Sequence, residues 1–229
     1  MRSPEPPDSV VDASLRRRIE ARLRAFEVRS HDAGAHPRAA VALAIADEGS
    51  GAALPGLADP ATWSRRPALI LTRRAGHLRR HAGQWALPGG RIDAGESAEA
   101  AALRELVEEV GLGLEPAAVL GRLDDYTTRS GFVITPLVVW AGAARELRPN
   151  PDEVASVHRI PFAEFRRADA PLLDPPEPDR PLQPVLRIPV GTTWIAAPTA
   201  AMLYQFREVC LEDRATRVAH FDQPRFAWK

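Results

Sequence analysis

A helix over residues 97–110 constrains this chain more than any other segment. Ser97 is a suitable N-cap and Gly111 a suitable residue to follow the helix end. On a helical wheel that advances about 100° per residue, one face carries three acids: Glu105, Glu108 and Glu109. The opposite face carries the apolar side chains: Leu103, Leu106, Val107 and Val110. We expect the apolar face to be buried in a domain core, with Ala101 and Ala102 leaving open space beside the acids.

The three acids stand at an unfavourable place, because a helix C-terminus carries partial negative charge. Like charges one turn apart also repel by roughly 0.2–0.5 kcal/mol per pair. That cost is small enough for a solvated acidic stripe, which is one interpretation. The other is a site for a hard divalent cation, since Mg²⁺ prefers several oxygen ligands at about 2.1 Å. The helix alone leaves both interpretations open.

The residues around this helix follow a longer pattern: Gly90-x5-Glu96-x7-Arg104-Glu105-Leu106-x-Glu108-Glu109-x-Gly111-Leu112. At every fixed position this pattern resembles the Nudix box of the nucleoside-diphosphate-linked-X hydrolases. The resemblance implies an α/β (α+β) fold, the Nudix α/β/α sandwich with a mixed β-sheet. It also implies hydrolysis of a diphosphate linkage with Mg²⁺ or Mn²⁺ as cofactor.

The same resemblance implies roles for individual residues. Glu105 and Glu109 become the main metal ligands, and Glu108 binds directly or through water. The Gly90 carbonyl is a further candidate ligand, and Arg104 orients the glutamates. For the general base we name Glu105 first and Glu153 as the alternative. In "PNPDEV" (149–154), Glu153 is otherwise a turn residue that leads into a strand.

A basic segment, "LTRRAGHLRRHAGQWALPGG" (71–90), directly precedes the box. It is either a solvated loop or a segment that attracts an anionic substrate to the metal site. It resembles the second signature of the coenzyme A diphosphatase branch of Nudix enzymes, with Leu87 in place of the usual Phe. That resemblance implies cleavage of CoA or acyl-CoA to 3′,5′-ADP and (acyl-)4′-phosphopantetheine. The candidate substrate-binding residues are Arg73, Arg74, Arg79, Gly83, Arg129 and Ser130, of which the last two alternatively form a hairpin turn.

One stretch departs from this branch, which leaves alternatives open. Where the branch has a Trp-Gly-x-Thr-Ala-like sequence, the chain reads "TWIAAPTAAM" (193–202). A Nudix hydrolase of another substrate, such as ADP-ribose, NADH or a nucleoside triphosphate, is therefore the close alternative. A non-catalytic ligand-binding Nudix module is a third possibility, which the complete set of box glutamates disfavours.

The rest of the pattern predicts one domain with extensions. An amphipathic helix runs from residue 9 to about 27, strands cover 38–47, 67–72, 117–125, 132–140, 154–160 and 185–195, and helices cover 161–167 and 199–213. Long loops are expected at 48–66 and 171–184. We divide the chain into an N-terminal tail and helix (1–34), a Nudix domain (35–213) and a C-terminal tail (214–229).

The amino-acid composition limits the classes of partner that we expect the protein to bind. Thirty basic residues balance thirty acidic ones, so no overall charge favours nucleic acid or an anionic membrane. A single cysteine, Cys210, excludes a disulfide framework, and no apolar run reaches the roughly 20 residues that span a bilayer. We expect a cytoplasmic protein with a small-molecule diphosphate substrate, and a homodimer is possible. His77 and His81 are expected to be solvated or near the substrate.

Overall fold

The computed structural model describes residues 10–32, 34, 36–78, 81–144, 146–175 and 183–224. Within these residues the main sheet has eight strands: β1 (Arg38–Gly49), β2 (Ser64–Arg74), β3 (Trp85–Ala86), β4 (Gly89–Arg91), β5 (Val119–Arg122), β6 (Tyr126–Thr127), β7 (Val133–Gly142) and β8 (Val154–Pro161). Strand β1 is central, because it pairs parallel with β7 and antiparallel with β2 and β4. Strand β8 pairs antiparallel with β2. The sheet is therefore mixed, as predicted.

Helices cover both faces of this sheet. They are α1 (Ala13–Ala25), α2 (Ala98–Val110), α3 (Phe162–Phe165) and α4 (Thr199–Phe206), and α4 continues as a π-helical turn, Arg207–Leu211. A 3-10 turn, Pro116–Ala118, precedes β5. Among the described residues, no helix combines the length and the apolar character needed to cross a membrane. This layering confirms the predicted α/β/α sandwich.

The two faces of β1 explain the two cores. Its side chains alternate, so Ala40, Ala42, Ala44 and Ala46 face α2, whereas Leu43 and Ile45 face the opposite core. The alanines leave room for α2 to approach the sheet closely. The larger residues pack in a core that also holds Leu15, Ile19 and Leu23 of α1 and most of α4. The predicted N-terminal helix is thus part of the core, and it begins after Asp12, whose carboxylate accepts from Leu15 N at 2.8 Å.

A second sheet was not predicted. It contains β9 (Leu172–Asp174), β10 (Val185–Val190) and β11 (Thr193–Ala196), all antiparallel. The predicted strand 185–195 is in fact a hairpin, because Gly191 adopts a positive φ of 54° and turns the chain. Strand β9 lies in the predicted loop 171–184, part of which (176–182) is outside the described residues. The predicted loop 48–66 is shorter, because β1 and β2 both extend into it.

The buried face of α2 differs from the predicted one. Val107 is 52% exposed, whereas Ala101 and Ala102 are fully buried against β1. The helix is rotated so that its small residues, rather than all its large apolar ones, meet the alanines of the sheet. The correction matters for function, because the same rotation carries Glu105 and Glu109 into the buried face.

Candidate active site

Three carboxylates converge at the C-terminal half of α2. Glu105, Glu109 and Glu153 each offer an oxygen, and these oxygens lie within 4.8 Å of one another. Glu105 and Glu109 are buried, whereas Glu153, in the loop before β8, is partly exposed. The structure therefore brings together two predicted metal ligands and the alternative general base. Glu108 is not a member of this group and points to the exposed side of α2.

The loop before β8 is fixed by the end of α2. Arg148 N donates to Val110 O at 2.8 Å, and Asn150 N donates to Glu109 O at 2.9 Å. These bonds satisfy carbonyls that the helix end would otherwise leave unpaired. Two further bonds fix the Glu153 backbone. Glu153 N donates to Asn150 O at 3.1 Å, and Ala75 N donates to Glu153 O at 2.8 Å. The backbone thus places the Glu153 side chain beside the helix without help from the side chain itself.

Burial and mutual repulsion change the acidity of these groups. Burial, and then the charge of Glu105, raise the pKa of Glu109 to about 8. Burial also raises the pKa of Glu105, although the hydrogen bond from Arg104 acts against it. Carboxylates that repel at close range and are withdrawn from water form a set that a divalent cation would stabilise. The donor set therefore fits the Mg²⁺ or Mn²⁺ that the sequence implies.

The backbone of β4 lies against the carboxylates. Gly89 N donates to Glu109 Oε2 at 3.2 Å. A Cβ on Gly90 would stand 2.0 Å from Glu105 Oε1, so a larger residue would displace this carboxylate from its present position. Gly90 is therefore next to the predicted ligands, as its candidate role requires. That its carbonyl binds metal stays a prediction.

Arg104 connects the acids of the box. Its guanidinium donates to Glu96 Oε1 at 3.0 Å, to Glu105 Oε1 at 2.9 Å and to Glu108 Oε2 at 3.1 Å. It also donates to Arg91 O at 3.0 Å, which ties α2 to β4. These contacts raise the pKa of Arg104 and lower that of Glu96. The geometry is that of a residue that orients Glu105, which is the role the resemblance implies.

A cleft of about 980 Å³ opens beside Gly89 and Gly90. Four of the predicted substrate-binding residues line it: Arg73, Arg74, Gly83 and Ser130. His81 also lines the cleft, whereas His77 contacts Asp152 O at 3.1 Å. Arg79 lies outside the described residues. The cleft thus combines cationic side chains with the glycine pair that touches the carboxylates.

Arg73 is held in place by its neighbours. Its guanidinium carbon lies 4.3 Å from the centre of the Trp85 ring, and its Nη1 donates to Gly83 O at 2.9 Å. The Trp85 ring in turn meets the His158 ring edge-on, with centroids 4.9 Å apart. Partial burial lowers the pKa of Arg73. These contacts present a cation with restricted motion at the cleft wall.

Arg129 is not among the residues that line the cleft, and its contact with substrate stays a prediction. Its Nε donates to Asp222 Oδ1 at 2.6 Å, and its Nη2 contacts Asp222 Oδ2. The two side chains are 14% and 2% exposed, and the guanidinium contacts the C-terminal segment through Asp222. The neighbouring Ser130 remains at the cleft.

Sequence reasoning missed several residues of the cleft. They come from the stretch that departs from the coenzyme A branch and from the tail: Thr193, Trp194, Ala196, Ala197, Pro198, Thr199, Met202 and Gln223. The departure at 193–202 was a signal for the first seven. No pattern in the sequence marked Gln223.

The part of the chain that carries this site matches a known protein family. The NUDIX domain family matches residues 60–181. The chain is 42% identical over 109 residues to a protein of Citrobacter koseri, across 47% of this chain and 57% of that protein. It is 46% identical over 99 residues to one of Pectobacterium atrosepticum, across 43% and 52% of the two chains. Both are described as uncharacterized Nudix hydrolase NudL, and the match spans only about half of their length.

Among solved structures, a MutT/nudix family protein of Enterococcus faecalis matches 76% of this chain and 54% of its own. The identity is 17% and the TM-score 0.45. The family match covers more than half of the chain and includes the box, the basic segment and Glu153. The chain therefore belongs to the Nudix family.

Proposed function

We propose that the protein hydrolyses a diphosphate linkage with the help of Mg²⁺ or Mn²⁺. The observation that carries this proposal is the group formed by Glu105, Glu109 and Glu153, whose oxygens lie within 4.8 Å of one another. A bound divalent cation lowers the pKa of a coordinated water and offsets charge on the leaving phosphate. The chain supplies Glu105 and Glu109 to hold the cation, with Arg104 fixing Glu105.

The attacking water forms a bond to one phosphorus, and the bridging P–O bond on that phosphorus breaks. A carboxylate takes the proton of the water. We assign this step to Glu153, because Glu105 is assigned to the cation and its Oε1 already accepts from Arg104 at 2.9 Å. Glu105 is the alternative base. Glu108, which bonds Arg104 and is exposed, supports the orientation of Arg104.

As substrate we propose CoA or acyl-CoA, cleaved to 3′,5′-ADP and (acyl-)4′-phosphopantetheine. The signature of this branch in residues 71–90 supports the choice. Arg73 and Arg74 line the cleft next to Gly89 and Gly90, where they can bind phosphate groups. A volume of about 980 Å³ lies at the upper end for small-molecule sites, as a nucleotide with a long arm requires.

One observation favours a second candidate. The stretch that departs from the branch, 193–202, forms a wall of the cleft through residues such as Trp194 and Pro198. A changed wall can change the substrate while the metal site and its chemistry stay the same. A Nudix hydrolase of ADP-ribose, NADH or a nucleoside triphosphate is therefore the alternative. A cytoplasmic location and a homodimer stay predictions of the sequence.

Product analysis distinguishes the candidates. The purified protein is incubated with Mg²⁺ and CoA, ADP-ribose, NADH or a nucleoside triphosphate, each with a chelator control. We expect 3′,5′-ADP and phosphopantetheine from CoA, formed faster than the products of the others and abolished by the chelator. Cleavage of another compound but not CoA would exclude CoA as the substrate and would still support metal-dependent hydrolysis of a diphosphate. Absence of cleavage in every case would favour a non-catalytic binding module.

A further inference from the structure

The C-terminal segment 218–224 reaches the cleft. Val218, Phe221, Asp222 and Gln223 are all buried, and Gln223 is 4% exposed while lining the cleft. The segment lies outside the part of the chain that matches the NUDIX domain family. Its burial shows that it packs as part of the molecule rather than as a loose extension.

Three contacts anchor this segment. Asp222 N donates to Pro184 O at 3.0 Å, beside a parallel bridge from Asp222 to Val185 of β10. The Tyr126 hydroxyl donates to Phe221 O at 2.8 Å. Arg129 pairs with both carboxylate oxygens of Asp222, and the two side chains are 14% and 2% exposed. Removal of either partner would leave the other charge buried without a counter-charge, and such a change strongly destabilises a folded protein.

The ion pair links the segment to another wall of the cleft. Arg129 lies between Thr128 and Ser130, which both line the cleft and whose hydroxyl oxygens are 3.0 Å apart. On the other side of the pair, Gln223 follows Asp222 directly, and its side chain bonds the Tyr126 hydroxyl. The bond to Tyr126 restrains the carboxamide, and Gln223 lines the same cleft as Thr128 and Ser130.

We propose that Gln223 is a specificity-determining residue, which binds an uncharged amide-like group of the substrate, and that Arg129 and Asp222 position it. A carboxamide pairs well with a group that has a donor beside an acceptor, and it offers no charge to a phosphate. In CoA such groups occur in the amide-containing arm and at the edge of the adenine. This inference rests on the proposed diphosphate hydrolysis.

The test measures kcat and KM for each substrate that the wild-type protein cleaves. Gln223→Ala should raise KM about 3- to 10-fold, as expected for one lost hydrogen bond, and leave kcat unchanged. A rise confined to CoA assigns Gln223 to the amide arm, and a rise for every adenine-containing substrate assigns it to the base. The matched control is His220→Ala, an exposed residue of the same segment, which should leave both constants unchanged.

The positioning pair is tested by exchange of its charges. Arg129→Ala and Asp222→Ala should each raise KM as Gln223→Ala does, while Arg129→Asp combined with Asp222→Arg should restore part of the loss. Wild-type constants in Gln223→Ala, or an effect on kcat alone, would overturn the inference. Restoration by the exchange excludes simple unfolding as the cause, and the circular dichroism of each variant checks its fold.

A binding measurement separates this inference from the proposed function. Titration calorimetry with CoA, and with ADP-ribose, is carried out in chelator, where no turnover is expected. If the wild type cleaves nothing but binds either compound, the proposed function fails, and a weaker affinity of Gln223→Ala still supports the inference. Equal affinities of the two proteins, or no binding by the wild type, would overturn it.

Discussion

At the scale of single residues, the candidate site is defined by carboxylates that the fold holds together against their repulsion. Glu109 is 3% exposed, and Gly89 N is its backbone donor. Glu105 is stabilised by Arg104, while Glu153 is held through its backbone. Burial of unpaired carboxylates is costly, and such groups become protonated when no cation is near. The site is therefore one in which proton binding and cation binding compete.

This competition predicts a pH dependence of stability. The pKa of Glu109 is about 8 in the folded protein, against an ordinary 4.5. Between pH 4.5 and about 8, this carboxyl is ionised in the unfolded chain but still protonated in the folded protein. The free energy of unfolding therefore decreases as the pH rises through this range. In chelator, thermal unfolding of the wild type should show a loss of stability from pH 5 to 8 on the order of 3–4 kcal/mol, and Glu109→Gln a smaller one.

Mg²⁺ at pH 8 should recover the lost stability in the wild type and not in Glu109→Gln. The reason is that the cation binds the ionised carboxylate of the folded protein only. Parallel curves for the two proteins, with and without Mg²⁺, would contradict the assignment of Glu109.

A comparison of two acids tests the division of roles. Glu153→Gln should lower kcat by about 10²- to 10⁴-fold, the usual contribution of a general base. Glu108→Gln is the matched control, because it removes a box carboxylate that lies outside the group and accepts from Arg104. Its effect should stay below about tenfold, the lower end for a supporting residue. Steady-state kinetics would contradict this division if Glu108→Gln were the more severe change.

At the scale of elements, the ends of α2 were predictable and its rotation was not. Ser97 accepts from Ala100 N at 3.1 Å, and Gly111 adopts a left-handed φ of 67°, as residue types alone indicated. The wheel was centred on the largest apolar side chains and so placed Val107 inside. The actual contact is set by small residues on two elements, which hydrophobicity along one helix does not reveal.

The end of α2 carries a second prediction. Gly111→Ala should destabilise the protein by about 1–2 kcal/mol, because a left-handed φ strains any residue with a Cβ, and the new Cβ would stand 2.9 Å from Arg148 Cβ. Gly113→Ala is the control, since a Cβ there meets no atom within 4 Å and its φ is not in the left-handed region. Urea unfolding should separate the two variants, and an equal loss in both would contradict the explanation.

The small sheet was missed for a local reason. Residues 185–195 form a continuous strand-like pattern, and Gly191 within it was not interpreted as a turn. The hairpin matters because its second strand, β11, supplies Thr193, Trp194 and Ala196 to the cleft. The box and the basic segment were the basis of the substrate prediction, and neither includes the residues of β11 that form one wall of the cleft.

At the scale of the whole molecule, the cleft is built from segments that are distant in sequence. Its walls come from residues near 39–41, 73–91, 128–134, 193–202 and 223. The proximity of Glu105 and Glu109 was predictable, because both belong to one contiguous motif. The walls were not, because Gln223 reaches the cleft only through long-range contacts such as Arg129–Asp222. The boundaries 1–34, 35–213 and 214–229 remain proposals.

The packing of α1 predicts that it unfolds together with the domain. Ile19 is fully buried in the core that also contains α4. Ile19→Ala should cost about 2–5 kcal/mol, as for other large-to-small core changes, and shift a single transition. Arg17→Ala, at an exposed position of the same helix, should have little effect. Calorimetry that showed a separate low-temperature transition for the helix would contradict this account.

The most direct test of the central claim is a comparison of wild type and Glu109→Gln in CoA hydrolysis with Mg²⁺, measured as formation of 3′,5′-ADP. Removal of one ligand oxygen from the buried group should lower turnover by more than about 100-fold, beyond the range for supporting residues, with circular dichroism unchanged. A chelator should reduce the wild type to the same level. Near-normal turnover in Glu109→Gln, or in chelator, would contradict a metal site held by Glu105 and Glu109.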